Sequence, residues 1–187
     1  MRFKVVIVGE ADVGKTCIAQ RASVGEFPER AKATVGAANC CIEVEVNGEL
    51  ISLNIWDTAG QERYRSLTQM YFTGASIAIA VFDITNLNSF KALPEFITML
   101  KEKAGNGVKI ILVGNKCDLT DRQIDIETAK EYQKEINASL YLETSAKTGA
   151  KINDLFRAVA EIAYSSIEKV QVDVIPPKKK KEGSSCC

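Results

Sequence analysis

Histidine is absent from this sequence of 187 residues, and its absence excludes several kinds of active site. No Ser-His-Asp triad, Cys-His nucleophile or histidine-ligated metal can form. Any catalytic metal would therefore be held mainly by oxygen atoms, which favours Mg²⁺.

Long apolar runs and paired cysteines are missing as well. No stretch approaches the roughly 18 apolar residues of a membrane-spanning helix, and none of the six cysteines stands in a C-x-x-C pair. Arg2-Phe3-Lys4 leads directly into a short apolar run, unlike the start of a signal peptide. We therefore expect a reducing, cytoplasmic location.

The chain has no net charge, because its 24 basic and 24 acidic residues balance. No field over the whole surface favours nucleic acid, so we predict no nucleic-acid partner. The charge is uneven along the chain, however. Four lysines and one glutamate within residues 178–187 give this end a net charge of +3.

Short apolar runs alternate with longer amphipathic segments. The runs at 5–8, 77–82 and 110–113 are apolar throughout, which is typical of strands buried on both faces of a parallel sheet. Segments 40–46 and 50–56 flank Asn47-Gly48, the strongest short hairpin signal. We predict an α/β doubly wound fold whose six-stranded sheet is mostly parallel, with one antiparallel edge pair and ligands bound at the carboxyl ends of the strands.

The C-terminal part divides into a helix and a tail. Apolar residues at three-and-four spacing over 152–163 predict a last helix that packs on the sheet. The pattern fades after Glu168 and gives way to prolines, lysines, Gly-Ser-Ser and two cysteines. We predict a domain over 1–168 and a flexible tail over 169–187.

Residues 9–16 match the phosphate-loop pattern G-x-x-x-x-G-K-[ST] completely, between a predicted strand and a predicted helix. Backbone N–H groups of such a loop wrap phosphates, and its lysine reaches the outer phosphate oxygens. The threonine hydroxyl is offered to Mg²⁺, and the helix N-terminus favours anions. The alternative is a glycine turn that only caps a helix. The predicted phosphate-binding residues are Gly9, Glu10, Ala11, Asp12, Val13, Gly14, Lys15, Thr16 and Cys17.

Two further motifs predict that the base is guanine. Asn115-Lys116-Cys117-Asp118 follows a predicted strand, and the Asp118 carboxylate can accept hydrogen bonds from N1–H and the exocyclic amino group of guanine. Adenine would leave that carboxylate unpaired, so a site of this kind prefers guanine over adenine by a factor of roughly 10⁴ or more. After another short strand, Ser145, Ala146 and Lys147 offer a backbone N–H to the guanine carbonyl.

Together these motifs resemble the Ras-like small GTPases, and within them the Rab family, over residues 3–168 and again at the tail. Residues 56–67, which read Trp-Asp-Thr-Ala-Gly-Gln-Glu-Arg-Tyr-Arg-Ser-Leu, are similar to the second switch of Rab proteins almost letter for letter. The resemblance implies a P-loop GTPase fold. It also implies a monomeric molecular switch that hydrolyses GTP to GDP and phosphate in vesicle traffic.

The resemblance also implies roles for individual residues. Asp57 would hold Mg²⁺ with Thr16, and Thr34 would join them only when GTP is bound. Gly60 would donate its backbone N–H to the γ-phosphate, and Gln61 would orient the attacking water. The implied catalytic residues are Lys15, Thr34 and Gln61. Phe27 would pack on the guanine edge, or else belong to the ordinary core.

Loss of the γ-phosphate would release Thr34 and Gly60, so that two loops relax. No arginine can be assigned to the γ-phosphate within the chain, so hydrolysis should be slow until an activating protein supplies one, a gain on the order of 10³ to 10⁵. The nearby arginines are predicted to be solvated or structural charges; they are Arg21, Arg30, Arg63 and Arg65.

The sequence differs from its relatives in the first switch, in the phosphate loop and at the tail. Asn39 stands where Rab proteins usually carry a phenylalanine, which in the family joins two aromatics, here Trp56 and Tyr71, in an exposed surface that effectors bind. We hypothesise that Asn39 weakens recognition by partners built for three aromatics. Ala11 and Asp12 replace glycines common in Ras-type members, which leaves the intrinsic rate open; Glu10-Ala11 and Ala37-Ala38 are also similar to the endosomal Rab5-like subgroup.

The tail ends in Cys186-Cys187, as in Rab proteins that carry two geranylgeranyl groups. Two lipid chains anchor stably where one does so only marginally, and the lysines could each add about 1 kcal/mol near an anionic leaflet. The alternative is a pair of unmodified thiols. The resemblance implies reversible attachment to the cytosolic face of intracellular membranes, and partners that comprise an exchange factor, a GTPase-activating protein, effectors and a prenyl-binding chaperone.

Two other functions share some of these motifs. A nucleotide kinase or ATPase would have the phosphate loop, but it needs an acceptor site and an arginine-rich lid, and Asp118 argues against adenine. A scaffold that binds nucleotide without hydrolysing it would lack catalytic residues, whereas Lys15, Thr34 and Gln61 are all present.

Overall fold

The computed structural model describes residues 1–28, 34, 36–60 and 65–173, without the side chains of 65–68 and 167–173. Strands and helices alternate along most of this length. The strands are β1 (Arg2–Val8), β2 (Ala37–Val46), β3 (Glu49–Thr58), β4 (Ile77–Asp83), β5 (Lys109–Asn115) and β6 (Leu140–Glu143). The helices are α1 (Lys15–Val24), α2 (Arg65–Phe72), α3 (Leu87–Lys91), α4 (Leu93–Ala104), α5 (Ile126–Glu135) and α6 (Ile152–Asp173).

The six strands form one sheet in the order β2-β3-β1-β4-β5-β6. Only β2 and β3 pair antiparallel, and the other neighbours are parallel. Asn47 (φ 52°) and Gly48 (φ 80°) both adopt the left-handed conformation that a two-residue hairpin turn of this kind requires. The predicted fold class and its antiparallel edge pair are confirmed.

The central strands are apolar throughout because both faces of the sheet are covered. In β1, Val5 and Ile7 point into a cluster that includes Ile18 of α1 and Phe156 of α6. Val6 and Val8 point the opposite way, into a cluster that includes Phe96 and Leu100 of α4. Burial on two faces holds the strand ends, and so the loops that follow them, in fixed positions.

The last helix packs its apolar stripe on the sheet as predicted, with Leu155, Phe156 and Val159 buried. The helix continues to Asp173, past the predicted boundary at 168, because no glycine or proline interrupts the sequence before Pro176. Residues 174–187 lie outside the described residues, so the division into domain and tail stays a prediction. Within the described ranges, none of the helices has the length and apolar character of a membrane span.

Candidate functional site

The phosphate loop leaves the carboxyl end of β1 and enters α1. Gly9 (φ 142°) passes so close to β4 that a Cβ there would overlap the Val81 carbonyl oxygen. Gly60, which follows β3, lies over the loop, where a Cβ would be 2.5 Å from both the Glu10 carbonyl and the Lys15 Nζ. The loop is therefore held between two strand ends with no space for additional side-chain atoms.

Lys15 lies at the centre of this loop and is only 6% exposed. Its Nζ donates to the carbonyl oxygens of Gly9 (2.9 Å) and Glu10 (2.6 Å). Burial lowers the pKa of Lys15 to about 8, and the nearby Asp57 carboxylate opposes that shift. An ammonium group fixed in this position attracts negatively charged phosphate oxygens.

Thr16, Thr34 and Asp57 come together next to Lys15, although the sequence separates them widely. The Thr16 hydroxyl donates to Asp57 Oδ2 (2.6 Å) and lies 2.9 Å from the Thr34 hydroxyl, which itself lies 3.3 Å from the same carboxylate oxygen. Asp57 Oδ1 is buried and has no hydrogen-bond partner among the residues that the structure describes. Burial raises the pKa of Asp57, and the hydrogen bond from Thr16 acts against that rise.

The side chains of Thr16, Thr34 and Asp57 offer oxygen atoms as metal ligands. Over the described ranges, no group of three or more His, Cys, Asp or Glu residues could hold a metal ion. An ion here would depend on the two hydroxyls, on Asp57 and on oxygens of a ligand or of water. A donor set of this kind suits Mg²⁺, and the unpartnered Oδ1 is the acceptor that an ion or its water would satisfy.

Beside the phosphate loop lies a cavity of about 260 Å³. Phe27 lines it with 39% of its surface exposed, so Phe27 is not part of the ordinary core. Leu119 also lines it, and the sequence had not singled out this residue. The other lining residues all come from the predicted set: Asp12, Gly14, Cys17, Asn115, Lys116, Asp118, Ala146 and Lys147.

Asn115 connects the walls of this cavity and is almost fully buried. Its Nδ2 donates to the Val13 carbonyl (2.8 Å), while its Oδ1 accepts from the Thr144 hydroxyl (3.1 Å) and the Ala146 backbone N–H (3.2 Å). One amide side chain thus ties the phosphate loop to the loop after β6.

Asp118 and Lys116 are each oriented by a second side chain. The Ser145 hydroxyl donates to Asp118 Oδ1 (2.6 Å), and Lys116 Nζ lies 2.7 Å from Asp83 Oδ2. Burial would raise the pKa of Asp83, but the hydrogen bonds from Lys116 and Thr85 hold it below its usual value. Sequence reasoning missed Asp83; the signal was that parallel β4 and β5 end side by side, which pairs it with Asn115.

Arg21, predicted to be a solvated or structural charge, is structural. Its guanidinium donates to the backbone carbonyls of Gly25, Ala146 and Lys147. Several predicted residues lie outside the described residues: Arg30, Gln61, Arg63, Cys186 and Cys187. Arg65 begins α2, and its side chain is not among those described.

The three residues of the predicted effector surface lie together. Asn39 is exposed and pairs with Trp56 across the β2–β3 ladder. The Trp56 ring stacks on Tyr71 with ring centroids 5.3 Å apart, and Lys4 Nζ lies 5.0 Å from the Trp56 ring centroid. Lys4 also donates to the Thr73 carbonyl (2.8 Å), so the tryptophan is held between a lysine and a tyrosine.

Comparison with known proteins identifies the family. The protein-family model of the Ras family matches residues 4–165. Ras-related protein Rab-30 of Homo sapiens is 45% identical over 159 residues, which cover 84% of this chain and 78% of that protein. The chain belongs to the Rab family of Ras-related small GTPases. The Rab-30 of Bos taurus gives the same values. The ras-related protein Rab-5B of Dictyostelium discoideum is 42% identical over 157 residues, or 84% of this chain and 73% of that protein.

As a Rab-family GTPase, the protein binds guanine nucleotide and hydrolyses GTP. It acts as a switch in membrane-associated vesicle trafficking, together with regulators and effectors. The predicted family, fold and enzyme class are confirmed, and the ATPase, kinase and non-hydrolysing alternatives are set aside. The Rab5-like subgroup stays a prediction, because relatives from two subgroups match almost equally well.

Proposed function

We propose that the residues around Lys15 bind GTP or GDP with Mg²⁺, and that Thr34 and Gly60 detect whether the γ-phosphate is present. The observation that carries this proposal is the cluster of Thr16, Thr34 and Asp57. It combines two hydroxyls within 3.3 Å of one buried carboxylate oxygen with a second carboxylate oxygen that has no partner among the described residues.

Thr16 and Asp57 would hold Mg²⁺ in both nucleotide states, and Thr34 only in the GTP state. The ion neutralises charge on the phosphate oxygens when it is bound. Thr34 lies outside the helices and strands, whereas Thr16 and Asp57 lie on a helix and a strand. Of these three residues, loss of the γ-phosphate would thus free only Thr34. It would also end the contact of Gly60 with the γ-phosphate, and the two releases together are the switch.

Guanine selection is assigned to Asp118 and to the loop at 145–147. The Ser145 hydroxyl occupies one carboxylate oxygen of Asp118 and so fixes the direction of the carboxylate. Asp118 would then accept from N1–H and the exocyclic amino group of guanine, and a backbone N–H of the loop would meet the guanine carbonyl. Asn115 braces both loops, and Phe27 covers the base edge.

For hydrolysis, Lys15 would stabilise the negative charge that develops on the phosphate oxygens, and Gln61 would orient the water that attacks the γ-phosphorus. The arginines whose side chains the structure describes lie elsewhere: Arg2 begins β1, at the far end of that strand from the phosphate loop, while Arg21 is held by backbone carbonyls, Arg122 by Glu143 and Arg157 by Glu161. This supports a slow intrinsic reaction that a GTPase-activating protein accelerates by inserting its own arginine.

Attachment to membranes would come from the tail. Cys186 and Cys187 would both be geranylgeranylated, and Lys178–Lys181 would add attraction to an anionic cytosolic leaflet, such as that of endosomes. An exchange factor and a prenyl-binding chaperone of the dissociation-inhibitor or escort type would complete the cycle. Effectors would bind the surface of Asn39, Trp56 and Tyr71.

The test of the ion site is Thr16→Asn, compared with Thr98→Asn as a matched control. Thr98 is exposed on α4, and its hydroxyl donates to the Pro94 carbonyl. Because the ion links the Thr16 hydroxyl to the γ-phosphate, Thr16→Asn should weaken GTP binding more than GDP binding, measured by calorimetry with Mg²⁺ present. Thr98→Asn should bind both like wild type. An equal loss of GTP and GDP affinity in Thr16→Asn would contradict the assignment.

A further inference from the structure

We propose that Arg21 is a positioning residue that ties the guanine-side loop to the segment leading into the first switch, and so controls how slowly nucleotide leaves. The proposal rests on the nucleotide site described above. The Arg21 guanidinium donates to three backbone carbonyls. Two belong to Ala146 and Lys147, which line the cavity, and the third belongs to Gly25, which precedes the lining residue Phe27 by two positions.

Arg21 lies on α1, and two of its hydrogen bonds go to the guanine-side loop. Arg21 follows Cys17 by one helical turn and lies on the same face of the helix, and Cys17 lines the cavity. Arg21 Nε donates to the Ala146 carbonyl (3.1 Å), and Nη2 donates to the Lys147 carbonyl (2.5 Å). Two adjacent carbonyls of the guanine-side loop are therefore fixed to α1 by one side chain.

The third bond reaches the segment that leads to the other wall of the cavity. Arg21 Nη1 donates to the Gly25 carbonyl (2.8 Å), while the Gly25 backbone N–H returns to the Arg21 carbonyl (3.1 Å) and ends the helix. Gly25 stands two residues before Phe27, which lines the cavity. Arg21 thus joins the segment that carries Phe27 to the loop that carries Ala146 and Lys147.

Only arginine can make this connection. The planar guanidinium presents donors from three nitrogen atoms that point in different directions, and here each nitrogen serves a different carbonyl. A lysine at the same position would present all its donors from one nitrogen atom. The charge adds strength to each bond, since hydrogen bonds from ionised donors exceed those between neutral groups.

A consequence for nucleotide exchange follows from this link. A partner that pulls residues 25–27 away from the cavity also pulls on Arg21, and through it on the carbonyls of Ala146 and Lys147. Opening one wall would therefore loosen the other, and both contacts with the base would weaken together. Without Arg21 the two walls would move independently.

The experiment measures release of fluorescently labelled GDP from the full chain at fixed Mg²⁺. Arg21→Lys should release GDP about tenfold faster than wild type, which corresponds to about 1.4 kcal/mol. Arg21→Gln, which can reach only one carbonyl and carries no charge, should release it at least as fast. The matched control is Arg157→Lys on α6, where the arginine is highly exposed and pairs with Glu161 one helical turn away; its rate should equal that of wild type.

A second measurement separates positioning from general loosening of the fold. The same variants are loaded with 6-thioguanosine diphosphate, which keeps the N1–H and amino groups of guanine but has sulfur, a weaker hydrogen-bond acceptor, in place of the carbonyl oxygen. If Arg21 positions the loop that reads this oxygen, the preference of wild type for GDP over the analogue should narrow in Arg21→Lys. A structural role alone would speed the release of both nucleotides by one factor and leave that preference intact.

The outcomes distinguish this proposal from the one on which it rests. If wild type binds GDP and Arg21→Lys releases it at the wild-type rate, the role of Arg21 is refuted and the nucleotide site stands. An unchanged preference between GDP and the analogue would refute it equally. If wild type itself fails to bind GDP, the nucleotide site is refuted instead.

Discussion

Glu143 illustrates how single residues hold the guanine side of the site in place. Its carboxylate accepts from the Tyr141 hydroxyl (2.7 Å) and from both terminal nitrogens of Arg122 (2.8 and 2.7 Å). Arg122 also donates to the Ile124 carbonyl (3.0 Å). The hydrogen bonds from Arg122 lower the pKa of Glu143, against the opposing effect of burial. The end of β6 is thereby fixed to the segment before α5.

We predict that Glu143→Gln lowers the free energy of unfolding of the GDP-loaded protein by about 1 kcal/mol at pH 7, since the pair is partly exposed. The folded protein lowers the pKa of this carboxyl below its ordinary value of 4.5. The stabilisation is therefore complete above pH 4.5 and fades as the pH falls below it. Urea unfolding between pH 7 and pH 4 should show the difference from wild type narrowing at the acid end.

The matched control for this prediction is Glu161→Gln, which breaks an exposed pair with Arg157 within one helix. It should change the free energy of unfolding by less than about 0.5 kcal/mol at any pH. A destabilisation by Glu143→Gln that is the same at pH 4 as at pH 7 would show that the charge of Glu143 contributes nothing.

Sequence motifs predicted the residues around the nucleotide much better than the residues that hold them. Lys15, Thr16 and Asp118 follow from the chemistry that phosphate and guanine require. Arg21 and Asp83 do not, because their partners are recognised only after folding: Arg21 contacts residues more than 120 positions away. No local pattern encodes a contact of that range, whereas the end-to-end alignment of parallel strands could have indicated Asp83.

At the scale of elements, the sequence predicted the turn of the β2–β3 hairpin correctly but made its first strand too short. Asn47-Gly48 predicted the turn correctly, but the ladder reaches back to Ala37, opposite Thr58, rather than beginning near Cys40. Ala37, Ala38 and Asn39 are poor strand formers. They are extended because β3, whose alternate residues are buried, offers backbone partners along its whole length, which is a tertiary effect that local propensity does not contain.

The hairpin contains Asn39, which stands where Rab proteins usually carry a phenylalanine. Asn39→Phe would place an aromatic directly opposite Trp56, which already stacks on Tyr71. We expect this variant to raise the free energy of unfolding by about 0.5 to 1 kcal/mol, as aromatic cross-strand pairs do. We also expect it to change which effectors bind, measured by quantitative pull-down with GTP-loaded protein.

Cys41→Phe is the control for this variant. Cys41 is exposed two residues along on the same face, and it lies opposite Asn54 rather than an aromatic. It should stabilise the hairpin less than Asn39→Phe does and leave effector binding unchanged. If Asn39→Phe captures the same partners as wild type with equal strength, position 39 does not select partners.

At the scale of the whole molecule, the nucleotide site and residues 165–166 of α6 lie at opposite ends of the sheet. The nucleotide residues follow the carboxyl ends of the strands, and α6 starts beside them at Ile152. Its later residues Ser165 and Ser166 line a cavity of about 720 Å³ with Phe3 and Lys109, which lie near the starts of β1 and β5. The last helix therefore leads away from the nucleotide residues, and the proposed membrane anchor at Cys186 and Cys187 follows it in the sequence.

The last prediction concerns that anchor. Cys186→Ser combined with Cys187→Ser should abolish incorporation of a labelled isoprenoid in cells and move the protein from the membrane pellet to the supernatant. Each single variant should retain one lipid chain together with the lysines at 178–181, so it should bind membranes more weakly than wild type but more strongly than the double variant. Cys41→Ser, which removes an exposed cysteine from β2, is the matched control and should be labelled like wild type. Equal labelling of the double variant and wild type would refute lipidation at the tail, and that result would leave the proposed nucleotide site unaffected.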